Sequence, residues 1–440
     1  MKKLRKNFRM IICWTLVSLM LQIPAYYFLN RQIEKVMAPS EKEAVVRTLK
    51  TNIPGTSFNN TQISYAKDYL AYEEDGVLKV YNLEQEKQVF SKAPPSNDKD
   101  LGVLYFQWLP DRNTLIYFYA RKNPNPVTTK VVPDTSQGAS KSSKPDGSST
   151  NGTAHTQSTA PTQAPDSNAS KTEDPNQAPS QAPSGGSSST PQQQRVVTIY
   201  NNPQITDLYT LELPNSDDTT TPPDDRFNES IDSFPAGGKI TNMVVSTFTN
   251  LIYLTIKSGT NLQLMEIDVM KNVRTLNRSG EVITKIVASD KFGTLYIESK
   301  TGKTKTIQAL DGSSRHNISS DQNETILGNR DGTLYLGKVQ DDNLVEIRSA
   351  AENSDSTNLN FKTVWQGSIP FKDAKIVIGV KDQIVINSGQ TAYIIQSNGQ
   401  QEQVELSGKE NIISQDGAEL IELTPNDKST DVELKPLSNS

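Results

Sequence analysis

The sequence predicts an all-β fold, a β-propeller of about seven four-stranded blades, and three observations carry that reading. After Pro54, short runs of Val, Ile, Leu, Tyr and Thr are broken by Gly, Asn and Asp at roughly 8- to 12-residue intervals, the rhythm of strands joined by tight turns. The runs repeat one another at a spacing of about 40 to 45 residues, which is the length of a propeller blade. Hydrophobic residues make up only 34% of the 440. The deficit is concentrated in one tract, 133–194, which has no Val, Ile, Leu, Met, Phe, Trp, Tyr or Cys. Without it the composition is that of an ordinary globular domain.

The elements follow in order from the N-terminus. Residues 1–9 carry Lys2, Lys3, Arg5, Lys6 and Arg9 and no acid, the basic flank of a cytoplasmic tail. Residues 10–29, MIICWTLVSLMLQIPAYYFL, carry no charge and are long enough to cross a bilayer as a helix. Trp14, Tyr26 and Tyr27 suit its two interfaces. We read this segment as an uncleaved signal-anchor. The rival is a signal peptide cut after Ala38, but the apolar stretch is long for one and Pro39 would follow the cut. Cys13 lies at the start of the apolar run and has no partner, so a disulfide scaffold is excluded.

Residues 30–53 form the expected stalk. Ser40 and Glu43 have the spacing of a capping box, with Ala44, Val45, Val46 and Leu49 after it, so a short helix or an unstructured spacer fills this stretch. The propeller is expected over 54–437.

Within it, seven buried-type residues act as rulers. Tyr72, Tyr117, Tyr253, Tyr296, Tyr335, Val385 and Leu420 each sit in a similar run, such as NTLIY before Tyr117 and GTLY before both Tyr296 and Tyr335. One gap, from Tyr117 to Tyr253, is too long. The 133–194 tract and a polar loop at 214–238 account for the surplus, unless an eighth, degenerate blade hides there. The runner-up fold, a pair of β-sandwiches, would not require this period.

The tract is rich in Ser, Thr, Pro, Gln and Ala. It cannot bury enough apolar surface to offset its ordering entropy, and disorder is expected. Its flanks, 127–132 and 195–200, are β-prone, and each is set off from a further strand by a proline (Pro124 and Pro126, Pro203). They are expected to pair as one antiparallel hairpin, with the tract a long loop at its tip in the second blade. Such a tract serves as a spacer, and Ser/Thr/Pro-rich tracts also carry O-glycans.

The run 108–118, WLPDRNTLIYF, resembles the turn that precedes a strand in TolB-like and WD40-like extracytoplasmic propeller repeats. Arg112 stands where that family usually has Gly, and the Trp-Asp and Gly-His signatures of true WD40 repeats are absent. The resemblance extends over most of 55–437. It implies the fold and not an activity.

Chemistry is sparse. The exterior part has two histidines, His155 in the tract and His316 in a polar, solvated turn. No nucleophile-base arrangement can be assembled, so no catalytic residue is named. Metal sites built on His or Cys are excluded by supply. Asp217, Asp218, Asp224 and Asp225 bracket a Thr/Pro run without the spacing of a calcium loop, and no phosphate or dinucleotide loop occurs. No cofactor is expected. With 45 basic and 50 acidic residues, the exterior part carries about −10, against nucleic-acid binding. The expected function is a membrane-anchored, extracytoplasmic and non-catalytic binding or assembly platform at a bacterial cell envelope, with a protein or envelope polymer as partner. The alternative is a propeller enzyme that acts on glycans or peptides through carboxylates facing the central channel.

Overall fold

The computed structural model describes residues 48–95, 98, 101–133, 194–218, 220–353 and 359–438. The tail, the apolar segment 10–29, most of the stalk and residues 134–193 lie outside them. Two compact units are formed, one by the chain up to Pro124 and from Asn202 onward, the other by Asn125–Asn201.

In the first unit the described residues build seven four-stranded antiparallel sheets. These are blades I to VII of a propeller. Their first strands are Asn59–Ile63, Gly102–Trp108, Lys239–Ser246, Glu281–Ala288, Glu324–Arg330, Lys375–Ile378 and Glu410–Ile413. They lie innermost and contact one another around the ring. All seven ruler residues fall on second strands, and all are buried.

The second strands explain why those runs read as continuous apolar sequence. In Thr114–Lys122 of blade II, Leu115 and Tyr117 pack toward blade I, while Ile116 and Phe118 pack toward blade III. A strand's side chains alternate between faces, and here both faces meet a neighbouring blade. Blade V repeats the pattern in Thr333–Gln340, with Leu334 and Leu336 toward blade IV and Tyr335 toward blade VI. The seven hydrophobic clusters thus occupy the seven seams between blades.

Five first strands carry a β-bulge near their midpoint, in blades I to V. A bulge leaves a carbonyl on the partner strand without its ladder donor. In blade III the extra residue is Thr241, whose hydroxyl lies 3.1 Å from the carbonyl oxygen of Thr255. In blade IV Thr284 makes the same contact with Glu298, also at 3.1 Å. In both the hydroxyl stands where the ladder is interrupted, and it also lies close to a side-chain oxygen of the partner strand, 2.9 Å from Thr255 Oγ1 in blade III and 3.0 Å from Glu298 Oε1 in blade IV.

The ring closes at blade VII. Its fourth strand is Leu49–Pro54, paired antiparallel with Ser429–Pro436 from Leu49↔Leu434 to Pro54↔Ser429. This corrects the stalk boundary: residues 49–53 are the outer strand of the last blade, with Ile53 fully buried. Pairing across the ring outweighs any local helical signal, because it satisfies the backbone of an otherwise open blade. Two smaller corrections follow. The polar stretch 214–238 hides no eighth blade but contains the fourth strand of blade II, Asp224–Ile231. His316 stands in the outermost strand of blade IV, Ser314–Ser319, half-buried and not in a solvated turn.

The second unit is the hairpin expected from the flanks of the tract. Val127–Pro133 pairs with Gln194–Tyr200 in the register Val127↔Tyr200, Val131↔Val196. One face presents Val127, Val131, Val196 and Tyr200, all exposed.

Among the described residues no helix is long and apolar enough to cross a membrane.

Candidate functional site

Consecutive antiparallel strands alternate direction, so each blade places its first-to-second and third-to-fourth turns on one end of the propeller. We call that end the upper face. The second-to-third turns and the connections between blades form the lower face. Leu49 sits opposite Leu434, near the upper end of its partner strand, so the chain enters the ring at the upper face. The insertion leaves blade II between Lys122 and Gln204, which pair at the lower end.

Four of the seven first-to-second turns share one local design. In blade I the turn after Asn59–Ile63 closes through Ser64 N to Tyr69 O at 2.9 Å. Blades II, IV and VII repeat this bond as Leu109 N to Thr114 O, Ser289 N to Thr294 O and Ser414 N to Glu419 O. The serine hydroxyls cap the turns: Ser64 Oγ accepts from Tyr69 N at 3.1 Å, Ser289 Oγ from Phe292 N at 2.8 Å and Ser414 Oγ from Glu419 N at 2.9 Å. Short polar side chains favour such turns because they imitate a backbone partner. The WLPD turn belongs to this set. Trp108 is fully buried, its indole nitrogen donates to Gln62 O at 3.2 Å, and Arg112 pairs with the adjacent Asp111 at 2.7 Å.

The turns are also stitched from blade to blade. Lys67 of blade I bridges Asp416 at 2.6 Å and Glu419, both in blade VII. Asn113 of blade II donates to Asp68 of blade I at 3.0 Å. Asp290 of blade IV accepts from Asp331 N at 2.7 Å and Gly332 N at 3.0 Å in blade V, and Tyr335 donates to Asp382 at 2.7 Å across the next seam. Burial raises the Glu419 carboxyl above its ordinary range. At Asp416 burial acts the same way, but the Lys67 ammonium and the Ser414 hydroxyl outweigh it and hold the group low.

Apolar exposure is uneven between the faces. Seven large hydrophobic side chains of the propeller are exposed among the described residues, and five lie in upper-face turns: Tyr65, Phe248, Val269, Met270 and Val380. Phe248, Val269 and Met270 all belong to blade III and are 63%, 57% and 76% exposed. The other two, Phe227 and Val282, lie on strands.

Two clefts open at seams. One, of about 410 Å³, lies on the upper face between blades V and VI, with Tyr335, Ile384 and Ile395 at its base and Asn360, Lys362 and Gln396 among its polar residues. The other, of about 490 Å³, lies on the lower face between blades IV and V beside Lys305, Thr325 and Phe371. Near it, Glu298 is buried yet held low, because Thr325, Lys305 and the Ile326 amide outweigh desolvation. Lys285 points into the same seam, its Nζ 3.5 Å from Leu327 O. Burial lowers its pKa to about 8.

The carboxylates of the innermost strands bear on the catalytic alternative. Three of those strands begin with an acid, Glu281, Glu324 and Glu410, and the other four carry none. Glu281 pairs with Arg315 at 2.7 Å, and Glu324 is engaged by Arg348 and Ser319. Glu410 is raised by burial, eased by Lys375. Three of the four aspartates singled out by sequence have partners. Asp218 is held well below the usual range by Thr221 and Thr220, Asp224 pairs with Arg226, and Asp225 binds Lys92 at 2.9 Å and Tyr117 at 2.6 Å. Among the described residues no group of three or more His, Cys, Asp or Glu is placed to hold a metal ion.

Sequence reasoning missed one cluster. Phe106, Tyr117, Tyr209 and Phe227 stand opposite one another across all four strands of blade II, and Lys92 of blade I lies 4.2 Å from the Tyr209 ring centre. The only signal is an aromatic in each strand, and their register becomes visible only when the strands are paired.

No protein-family profile and no curated protein sequence matches the chain. Among solved structures it is similar to a prolyl endopeptidase, with TM-score 0.44 and 13% identity over 84% of this chain and 46% of that one. It is similar to the WD40 domain of SCAP from fission yeast, with TM-score 0.39 and 7% identity over 91% and 96%. TolB from Acinetobacter baumannii matches with TM-score 0.36 and 7% identity over 90% and 82%. The chain spans under half the length of the prolyl endopeptidase chain. These likenesses are of fold alone, and they include both propeller types that the 108–118 run resembles.

Proposed function

We propose that the protein is a membrane-anchored, extracytoplasmic propeller that acts as a non-catalytic binding or assembly platform at the cell envelope. The observation that carries this reading is the concentration of exposed apolar side chains on turns of one face. Three of the five, Phe248, Val269 and Met270, fall in the two upper-face turns of one blade, and exposed apolar side chains gathered in one sector mark association. The turns that bear it are fixed by hydroxyl and carboxylate bonds, so little ordering entropy opposes docking. The alternative, hydrolysis through channel carboxylates, draws no comparable support. Of the three acids on innermost strands, two are engaged by arginines, and a working pair needs one free acid and one free base.

The anchor at 10–29 and the basic tail support the location. The test is chemical cross-linking of the intact protein in its own membranes, followed by identification of what is attached. Reproducible adducts with a protein or envelope polymer are expected. Recovery of the uncross-linked chain alone would remove the platform reading, and turnover of a glycan or peptide by the purified chain would replace it.

A further inference from the structure

The chain joins the propeller at the face that carries the exposed apolar turns, and the insertion leaves from the opposite face. We propose that the upper face is the docking surface for the extracytoplasmic part of a membrane protein, one that presents both apolar and basic side chains. The lower face, where the insertion departs, then points away from the membrane. This rests on the anchored reading above.

The length and position of the preceding chain decide between near and far partners. From the end of the apolar segment at Leu29 to Leu49 there are 19 intervening residues, which span at most about 65 Å when fully extended and less than half of that as a helix. Because Leu49 is at the upper end of its strand, this connection leads directly from the upper face toward the anchor. The lower face would have to be reached around the rim.

Charge decides between a protein and the lipid itself. In the described upper-face turns carboxylates outnumber basic groups by more than two to one, so an anionic bilayer surface is repelled. The apolar sector on blades III and IV is locally balanced, with Asp268 and Lys271 beside Met270, and Asp290 and Lys291 beside Phe292. The excess of carboxylates lies in the turns of blades I, II, V and VII, so the face as a whole is complementary to a protein that carries basic groups to one side of its apolar ones. The sector is well held: Thr247 reaches Asp290 O at 3.4 Å, and Ser246 Oγ accepts from Thr249 N at 3.3 Å.

The experiment places a photoreactive benzoylphenylalanine at Phe248, Met270 or Lys303, one at a time, in the full chain within its own membranes. Lys303 lies in the lower-face turn of blade IV. The expected result is one adduct, identified by mass spectrometry as a membrane-spanning protein, formed at 248 and 270 at least ~10-fold more than at 303. Met270→Asp should weaken the adduct formed at 248 by a similar factor without changing the melting temperature. Adducts to lipid, to a second copy of this chain, equally at 303, or to nothing at all each overturn the proposal. A carbonate wash and the intact mass report separately on the anchor. Release of a shortened chain would end the anchored reading, whereas a retained full-length chain with no position-dependent adduct ends only the docking face.

Discussion

Lys67 is the residue on which ring closure at the upper face most depends. Its ammonium answers two carboxylates of blade VII, one of them almost wholly buried. Removing one partner from such a group leaves charge without compensation, at about 3 kcal/mol or more. Lys67→Met should therefore lower the free energy of unfolding measured in urea by that order, and an unchanged value would show that Asp416 and Glu419 are satisfied without it. Lys285 acts in the opposite sense. Its folded-state pKa, near 8, is below that of an unfolded lysine, so the folded chain gives up its proton first. Stability from this group therefore rises with pH between about 8 and 10.5 and is lowest below that window. Lys285→Met should stabilise the protein at pH 7 by up to about 3 kcal/mol, less the lost attraction to Glu298, with the advantage shrinking through that window. Parallel unfolding curves at pH 7 and pH 10 read the difference directly.

At the scale of elements, two of the five bulged first strands set a threonine hydroxyl against the interrupted ladder. Thr284→Val keeps the shape and removes the group facing the Glu298 carbonyl. About 1 to 2 kcal/mol should be lost, and Thr284→Ser should restore most of it. Equal stability of the Val and Ser variants would mean that the carbonyl finds another donor. The existence and order of the strands were legible, since the second strands read as apolar runs at a blade-length period. The bulges were not, because a threonine in a strand says nothing until its register against the next strand is known. The closing strand Leu49–Pro54 was hidden for a related reason. Its partner Ser429–Pro436 lies almost the whole chain away, while the nearby Ser40 and Glu43 offer a purely local signal. The candidate face was equally hidden: Phe248 and the pair Val269, Met270 stand in otherwise polar turns, and only strand direction puts them on one end.

At the scale of the whole molecule, the insertion should be dispensable for folding. Asn123 N reaches Pro203 O at 2.8 Å, so the two ends of the propeller chain already meet beside the point of departure. Deleting 125–201 and joining Pro124 to Asn202 should leave a propeller that melts within a few degrees of the parent in a circular-dichroism scan, because short surface joins change loop entropy only slightly. A collapse of the transition would show that the second unit supports the ring.

The class of fold and the place of the insertion were legible in the amino-acid sequence, because they follow from the period and composition of the chain, whereas the choice between seven blades and eight waited for the strand Asp224–Ile231 to be paired in blade II. The sequence also named all seven residues that mark the second strands, since burial on both faces demands an uninterrupted apolar run. How the ring is shut, which polar groups stitch its seams and which end carries the exposed apolar turns emerge only from the folded chain. Those depend on pairings between residues hundreds of positions apart and on the direction in which each strand runs, and neither leaves a local trace in the order of the amino acids.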